Sequence, residues 1–428
     1  MKPIKKLWYP KPVVSILRAT FGVFLKKYYN IEFIDPENIK KFKEPFVIIA
    51  NHVNFWDPFF ISDYLTQEIH YITSDNIFRD PIFKYFMKLF GSIPKSKFIP
   101  DTQTIRLAIK TVEKGASVGL FPEANRSWDG NNLSIVSSTG KLVKMLGLTL
   151  IGAKIKGAYL SLPRWAEKKR KGKVIIEFST ILKKEEVRSL SYEQINEVIK
   201  KWIKHSDDEF EEKNKYKYIG KDLAHFLEQV LYVCPNCKSL VSIYSENDFV
   251  KCKNCDLNLR YNEYSQFEGM NLNKDLNTVS KWNSWQIKYS FDFIKDLFSK
   301  NLENDHIILS DPEIAKIHVG YRYNKTNFLI EGYVRLKKGY FEICSKNDDK
   351  ILYSFEISKM EGINVQNKEV LEFYYDNKLY RVLYENKRSS TYKWMILLLI
   401  IKKFLLIEQD FENKVSKINI DTMFAEII

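Results

Sequence analysis

A chain of 428 residues exceeds one ordinary domain and leaves room for two to four. Its formal charge of +14 points to an anionic partner. Its apolar residues never gather into the ~20-residue run that a bilayer span needs, and no small-residue cleavage site follows the basic start, so neither a transmembrane helix nor a secretory signal is expected.

Residues 1–30 carry Lys2, Lys5, Lys6, Lys11, Arg18, Lys26 and Lys27 without one acid. Within them Val14, Leu17, Phe21, Phe24, Leu25 and Tyr28 recur at helical spacing. The pattern predicts a basic helix whose apolar face lies on a membrane surface or packs on the next domain. Phe46–Ala50 is a short apolar run suited to a buried strand, and Asp57-Pro58 reads as an N-cap followed by proline at the first helical position. Asn51-His52-Val53-Asn54-Phe55-Trp56 is then the loop between them. On one continuous helix, residues five apart point about 140° away from each other, so His52 and Asp57 can meet only if His52 precedes the helix. A neutral imidazole held by a carboxylate is the side-chain pair best able to take a proton from an alcohol near neutral pH, with His52 as base and Asp57 as its orienter.

After a helical pattern, Phe90-Gly91-Ser92-Ile93-Pro94-Lys95-Ser96-Lys97 adds cationic side chains, and Lys97 is a candidate phosphate contact. Ser117–Phe121 reads as a second buried strand that Pro122 ends. Glu123 and Arg126 follow on the loop, at the edge where α/β sheets bind ligands. An arginine there offers a planar fork matched to phosphate, and Glu123 either holds that arginine or binds a substrate hydroxyl.

Asn51-His52-x4-Asp57 followed by Phe121-Pro122-Glu123-x-x-Arg126-Ser127 resembles the glycerolipid acyltransferases, the glycerol-3-phosphate and lysophosphatidate acyltransferases of phospholipid synthesis. The resemblance covers roughly residues 40–180. It implies an α/β domain with a mixed sheet flanked by helices, His52 as general base, Asp57 as its orienter, and a Glu123/Arg126 block that binds the acceptor's phosphate. Asn51, Lys97, Glu123, Asn125 and Arg126 form the expected substrate-binding set. The donor implied is acyl-CoA or acyl carrier protein, and the acceptor is lysophosphatidate, another lysophospholipid or glycerol-3-phosphate. The chain departs from the family in three places: Ala124 replaces the usual glycine, where a Cβ disfavours positive φ; Lys97 replaces an arginine; and the proline of the fourth block is missing from Leu150–Ile155.

Arg164, Lys168, Lys169, Arg170, Lys171 and Lys173 beside Trp165 form a second basic cluster, suited to anionic headgroups or to a solvated hairpin. Cys234-x-x-Cys237 and Cys252-x-x-Cys255, about 15 residues apart, supply four thiolates for one tetrahedral ion, structural zinc or a rubredoxin-like iron. Leu240–Tyr244 and Phe249–Lys251 would form the ribbon that carries them. The fifth cysteine, Cys344, reads as a small core residue. Trp282, Trp285, Tyr289, Phe293 and Leu297 mark an amphipathic helix. Seven strand-like segments follow: Ile307–Leu309, Phe328–Ile330, Tyr333–Leu336, Tyr340–Ile343, Ile351–Ile357, Val370–Tyr375 and Leu379–Tyr384. With a helix over Tyr392–Ile407 they resemble, by element order, the pleckstrin-homology or GRAM barrel. Trp394–Ile401 is eight apolar residues long, too short to span a bilayer and read as a buried helix.

The expected plan is a membrane-surface helix over 1–30, an acyltransferase domain over 31–205, a helical linker over 206–231, a zinc ribbon over 232–262, an amphipathic helix over 263–304, a β domain over 305–410 and a tail over 411–428. The expected function is an O-acyltransferase at the cytoplasmic face of an anionic membrane, peripherally bound. A non-catalytic adaptor and a zinc-ribbon nucleic-acid binder are the competing classes. The intact His52/Asp57 pair argues against the first, and basic residues concentrated in an amphipathic helix argue against the second.

Overall fold

The computed structural model describes residues 10–96, 101–270, 273–300, 302–321 and 325–412. Lys97, the N-terminal Lys2, Lys5 and Lys6, and all of the tail but its first two residues lie outside them. The chain forms two compact units: residues 1–223 with 262–266, and residues 224–261 with 267–428.

The first unit begins with α1 (Lys11–Leu17), a π-helical turn (Arg18–Gly22) and α2 (Val23–Tyr28). There follow β1 (Ile31–Ile34), β2 (Phe46–Ala50), α3 (Asp57–Tyr64), β3 (Ile69–Ser74), α4 (Pro81–Leu89), β4 (Ile93–Lys95), α5 (Thr102–Glu113) and β5 (Ser117–Leu120). The unit continues through α6 (Ser138–Leu146), β6 (Thr149–Lys156), α7 (Ala158–Ser161), β7 (Val174–Leu182), α8 (Lys184–Ser189), α9 (Tyr192–Ile203) and α10 (Asp207–Asn214). Its sheet runs β1-β7-β6-β2-β5-β3-β4, parallel throughout except for the β6–β7 pair.

Central strand β2 is buried along its whole length, as a continuous apolar run covered on both faces must be. Because side chains alternate, Phe46, Ile48 and Ala50 enter one core with Ile151, Ala153 and Ile155, while Val47 and Ile49 enter the other with Val118, Leu120 and Leu150. The C-terminal ends of β2 and β5 thus open on one edge of the sheet, where the two sequence motifs begin.

Val14, Gly22, Leu25 and Tyr29 of the N-terminal segment are buried, whereas Val13, Ile16, Val23, Phe24 and Tyr28 are exposed. The apolar face expected to be single is therefore divided: Phe21 meets Trp56 at 5.4 Å and Tyr29 meets Phe60 at 5.0 Å, while Phe24 and Tyr28 face solvent. The expected helical linker over 206–231 has no α-helix beyond Asn214, only a single 3-10 turn at Leu227–Gln229. Its Tyr218 is buried and donates to Lys173 O, and residues on either side of position 223 divide between the units. In the second basic cluster Arg164 and Arg170 are buried, the latter donating to Leu223 O at 2.6 Å, so they brace loops and do not form a headgroup surface.

In the second unit, β8 (Ile243–Glu246), β9 (Phe249–Cys252), β10 (Asn258–Tyr261) and β11 (Phe267–Glu268) form an antiparallel sheet that runs past the expected end of the ribbon at 262. Helix α11 (Val279–Ser299) is present with its stripe rotated. Trp282, Ile287, Phe291, Ile294 and Phe298 are buried, while Trp285, Tyr289 and Phe293 stack along a half-buried edge. Then come β12 (Ile307–Gly320), β13 (Asn327–Lys337), β14 (Tyr340–Cys344), β15 (Ile351–Glu356), β16 (Glu361–Gln366), β17 (Val370–Tyr375), β18 (Lys378–Tyr384) and α12 (Thr391–Glu412).

These seven strands pair antiparallel in the order β15-β14-β13-β12-β18-β17-β16. Phe355 on edge strand β15 reaches Phe373 on β17 at 4.9 Å and Tyr380 on β18 at 4.8 Å, so the sheet curls over its own core. Two expected strands, Phe328–Ile330 and Tyr333–Leu336, are one, because Glu331 and Gly332 continue the ladder. Strand β12 passes through Pro312 at a bulge, and β16 carries too many polar residues to have been anticipated. Trp394, Leu397, Leu398, Ile400 and Ile401 of α12 are buried, as is Cys344. Among the described residues no helix is long and apolar enough to cross a membrane.

Candidate active site

The chain leaves the sheet at Asn51, whose buried amide donates to Ile155 O and accepts from Ile155 N, both at 2.8 Å. Expected to bind substrate, Asn51 instead spends its amide on tying the end of β2 to β6. His52 follows on the loop. Its Nδ1 lies 2.9 Å from Asp57 Oδ2, and the same oxygen accepts the main-chain N–H groups of Val53 at 2.8 Å and Asn54 at 2.9 Å. Asp57 is the first residue of α3 and does not cap it. Its side chain turns back to organise the loop, which is how two residues five apart meet.

The carboxylate fixes the proton of the imidazole on Nδ1 and leaves Nε2 as the nitrogen turned away from it. With the side chain of Asp57 fully buried and that of His52 21% exposed, the pair joins the interior to the surface. Phe121 stacks on the imidazole at 4.2 Å and restricts its rotation.

The turn after β5 grips the same loop. Ser127 N donates to His52 O at 2.9 Å, and His52 N donates to Glu123 Oε1 at 3.4 Å. Glu123 also accepts from Asn132 Nδ2 at 2.9 Å and from Leu133 N at 3.1 Å. Burial pushes its carboxyl up to about 8, opposed by these three N–H donors. Glu123 therefore neither holds Arg126 nor turns to a substrate. It carries the main chain of the His52 loop. Ala124 adopts φ +58° despite its Cβ, so the left-handed turn survives loss of the usual glycine. Asn125 N closes the turn on Glu123 O at 2.7 Å.

Arg126 is half-buried, and its guanidinium makes no hydrogen bond or ion pair among the described residues. Burial lowers its pKa, while the charge of Asp57 opposes that shift. It stays charged, a fork of donors near the His52/Asp57 pair. Arg164 fixes its backbone, with Nη1 donating to Arg126 O at 2.9 Å and the guanidinium lying 4.1 Å over the ring of Trp128. The structure thus brings together His52, Asp57, Glu123, Asn125 and Arg126, with Asn51 as their anchor on the sheet. Phe121 stood in the sequence motif without a role, and Arg164 and Asn132 carried no spacing signal that would have placed them here.

In the second unit Cys234, Cys237, Cys252 and Cys255 bring four Sγ atoms within 4.8 Å of one another, two pairs at 3.6 Å. A tetrahedral zinc with bonds of about 2.3 Å sets sulfurs about 3.8 Å apart, so the cluster fits such an ion. The Asn254 N–H points to Cys252 Sγ at 3.3 Å, a donor suited to a thiolate.

Residues 30–156 match the Acyltransferase family model. The matched region lies within the first unit and holds both motifs, so that unit carries an acyltransferase domain. A chloroplastic 1-acyl-sn-glycerol-3-phosphate acyltransferase of Brassica napus is 30% identical over 148 residues, 32% of this chain and 42% of that protein. One from Arabidopsis thaliana is 27% identical over 156 residues, 36% of this chain and 43% of that protein. The chain thus matches less than half the length of these curated relatives. Among solved structures, the 1-acyl-sn-glycerophosphate acyltransferase PlsC of Thermotoga maritima aligns at 17% identity with a TM-score of 0.39, over 47% of this chain and 79% of that one.

Proposed function

We propose that the chain is an O-acyltransferase that moves an acyl group from a thioester, acyl-CoA or acyl carrier protein, to the free hydroxyl of 1-acyl-sn-glycerol-3-phosphate. The observation that carries this reading is the His52–Asp57 pair, 2.9 Å apart, with the guanidinium of Arg126 left open beside it. His52 Nε2 takes the hydroxyl proton as the oxygen attacks the thioester carbonyl, and Asp57 stabilises the imidazolium that forms. The tetrahedral intermediate collapses, the C–S bond breaks, and the imidazolium returns the proton to the leaving thiolate. Arg126 binds the acceptor's phosphate and so sets the hydroxyl before His52.

Lipid substrates suit a membrane surface. Exposed Ile16, Val23 and Phe24 of the N-terminal segment and Ile82, Phe83, Tyr85 and Phe86 of α4 stand among Lys26, Lys27, Lys84 and Lys88, a mixture of apolar and cationic side chains that favours an anionic bilayer. The four cysteines would hold one structural zinc, closed to substrate because all four positions are thiolates.

The test is an acceptor panel with one acyl-CoA, following release of free CoA and the mass of the product. Acylation of lysophosphatidate is expected, with Arg126→Ala raising KM for it more than for an acceptor without phosphate. Acylation of glycerol-3-phosphate or another lysophospholipid alone would move the reading within the family. No acylation of any acceptor would overturn it.

A further inference from the structure

Asn132 stands nine residues after Glu123, outside both sequence motifs. Its Nδ2 donates to Glu123 Oε1 at 2.9 Å, and its Oδ1 accepts the main-chain N–H of His205. His205 is fixed in turn, because its Nε2 meets Asp207 Oδ1 at 2.9 Å and that oxygen also accepts the Gly157 N–H at 2.6 Å. The Asp207 N–H donates to Gly130 O at 3.2 Å, which returns the chain to the loop that carries Asn132. The side chain of His205 is 8% exposed and that of Asp207 is fully buried. Both lie beyond residues 30–156, the part matched by the family model.

We propose that Asn132 is a positioning residue for acyl transfer: it ties Glu123, and through Glu123 the main chain of His52, to the buried corner at His205 and Asp207. The inference rests on the reading of His52 as base. Each polar group of the carboxamide serves a different partner, a donor toward the carboxylate and an acceptor toward the main chain, a division that neither aspartate nor alanine reproduces. Without Asn132, Glu123 Oε1 keeps only the long bond from His52 N, and the Leu133 N–H on Oε2 is the one short hydrogen bond left to orient the carboxylate. A shift of about 1 Å in a reacting group far from the altered residue costs on the order of 100-fold in rate.

The experiment measures kcat and KM across pH for the full-length protein, Asn132→Ala and Asn132→Asp. It also records the imidazole resonances of His52, assigned through His52→Gln. Folded variants are expected to lose roughly 10- to 100-fold in kcat, more in Asn132→Asp, where a carboxylate faces Glu123 Oε1, with little change in KM. Loss of Asn132 removes one of the three N–H donors that hold the Glu123 carboxyl down, so any limb of the kcat profile set by Glu123 should move to higher pH. A residue needed only for folding would lower kcat alike at every pH. Wild-type kcat with an unshifted profile in folded variants would overturn the proposal, and so would unmoved His52 resonances in both. If the wild type transfers no acyl group while the variants still move the His52 resonances, the reaction assigned to the site fails and the positioning role stands.

Discussion

Glu123 shows how a spacing can single out a residue without disclosing what its side chain touches. The Pro-Glu-x-x-Arg spacing singled it out, yet its carboxylate faces the protein and accepts three N–H donors, one of them from His52. Its environment makes a pH prediction. A carboxyl whose folded pKa is raised from 4.5 to about 8 favours folding below pH 4.5 and progressively loses that contribution as pH rises to about 8. Glu123→Gln removes the titration, so its stability relative to wild type should improve between pH 4.5 and 8 and then level off. Denaturant midpoints at several pH values measure this, and a constant difference across that range would contradict it. Ala124 was equally visible as a departure from the family, but its φ of +58° was not, because main-chain bonds from Ala124 N to Phe121 O and from Asn125 N to Glu123 O hold the turn.

At the scale of elements, legibility followed locality. The strand Phe46–Ala50 and the helix beginning at Asp57-Pro58 were readable because period and turn chemistry lie within a few residues. The α11 stripe was misassigned because Gln286 and Ser290 are buried: Gln286 accepts from Tyr232 N and Ser290 meets the hydroxyl of Tyr232, partners more than 50 residues away. Asn132 was invisible for the same reason, its second partner being His205. The cysteine knuckles were the opposite case, since spacing alone foretold the cluster. A segment this small buries too little apolar surface to fold unaided, so an ion would supply much of its folding free energy. One zinc per chain is expected by elemental analysis, and chelation or Cys252→Ser should expose residues 232–268 to proteolysis without abolishing acyl transfer. Iron would identify a rubredoxin-like centre, and metal-free protein purified under reducing conditions would contradict the account.

For the whole molecule, the attachment to an anionic bilayer that we propose rests on the basic surplus and the exposed apolar side chains of α4. Sedimentation with phosphatidylglycerol vesicles should capture the full chain at low salt, weaken as salt rises and fall further in Phe83→Ser/Phe86→Ser. Equal capture by neutral phosphatidylcholine vesicles at every salt would remove the electrostatic part of that reading. Catalysis has a sharper test. In the mechanism we propose, His52 Nε2 is a base held by Asp57, and the remaining residues place the acceptor or hold that pair. The most direct measurement is kcat for acyl transfer from acyl-CoA to lysophosphatidate by wild type and by His52→Ala, with folding checked by circular dichroism. A fall of roughly 100- to 10,000-fold in the folded variant is expected for loss of a general base, and unchanged turnover in folded His52→Ala would contradict the mechanism.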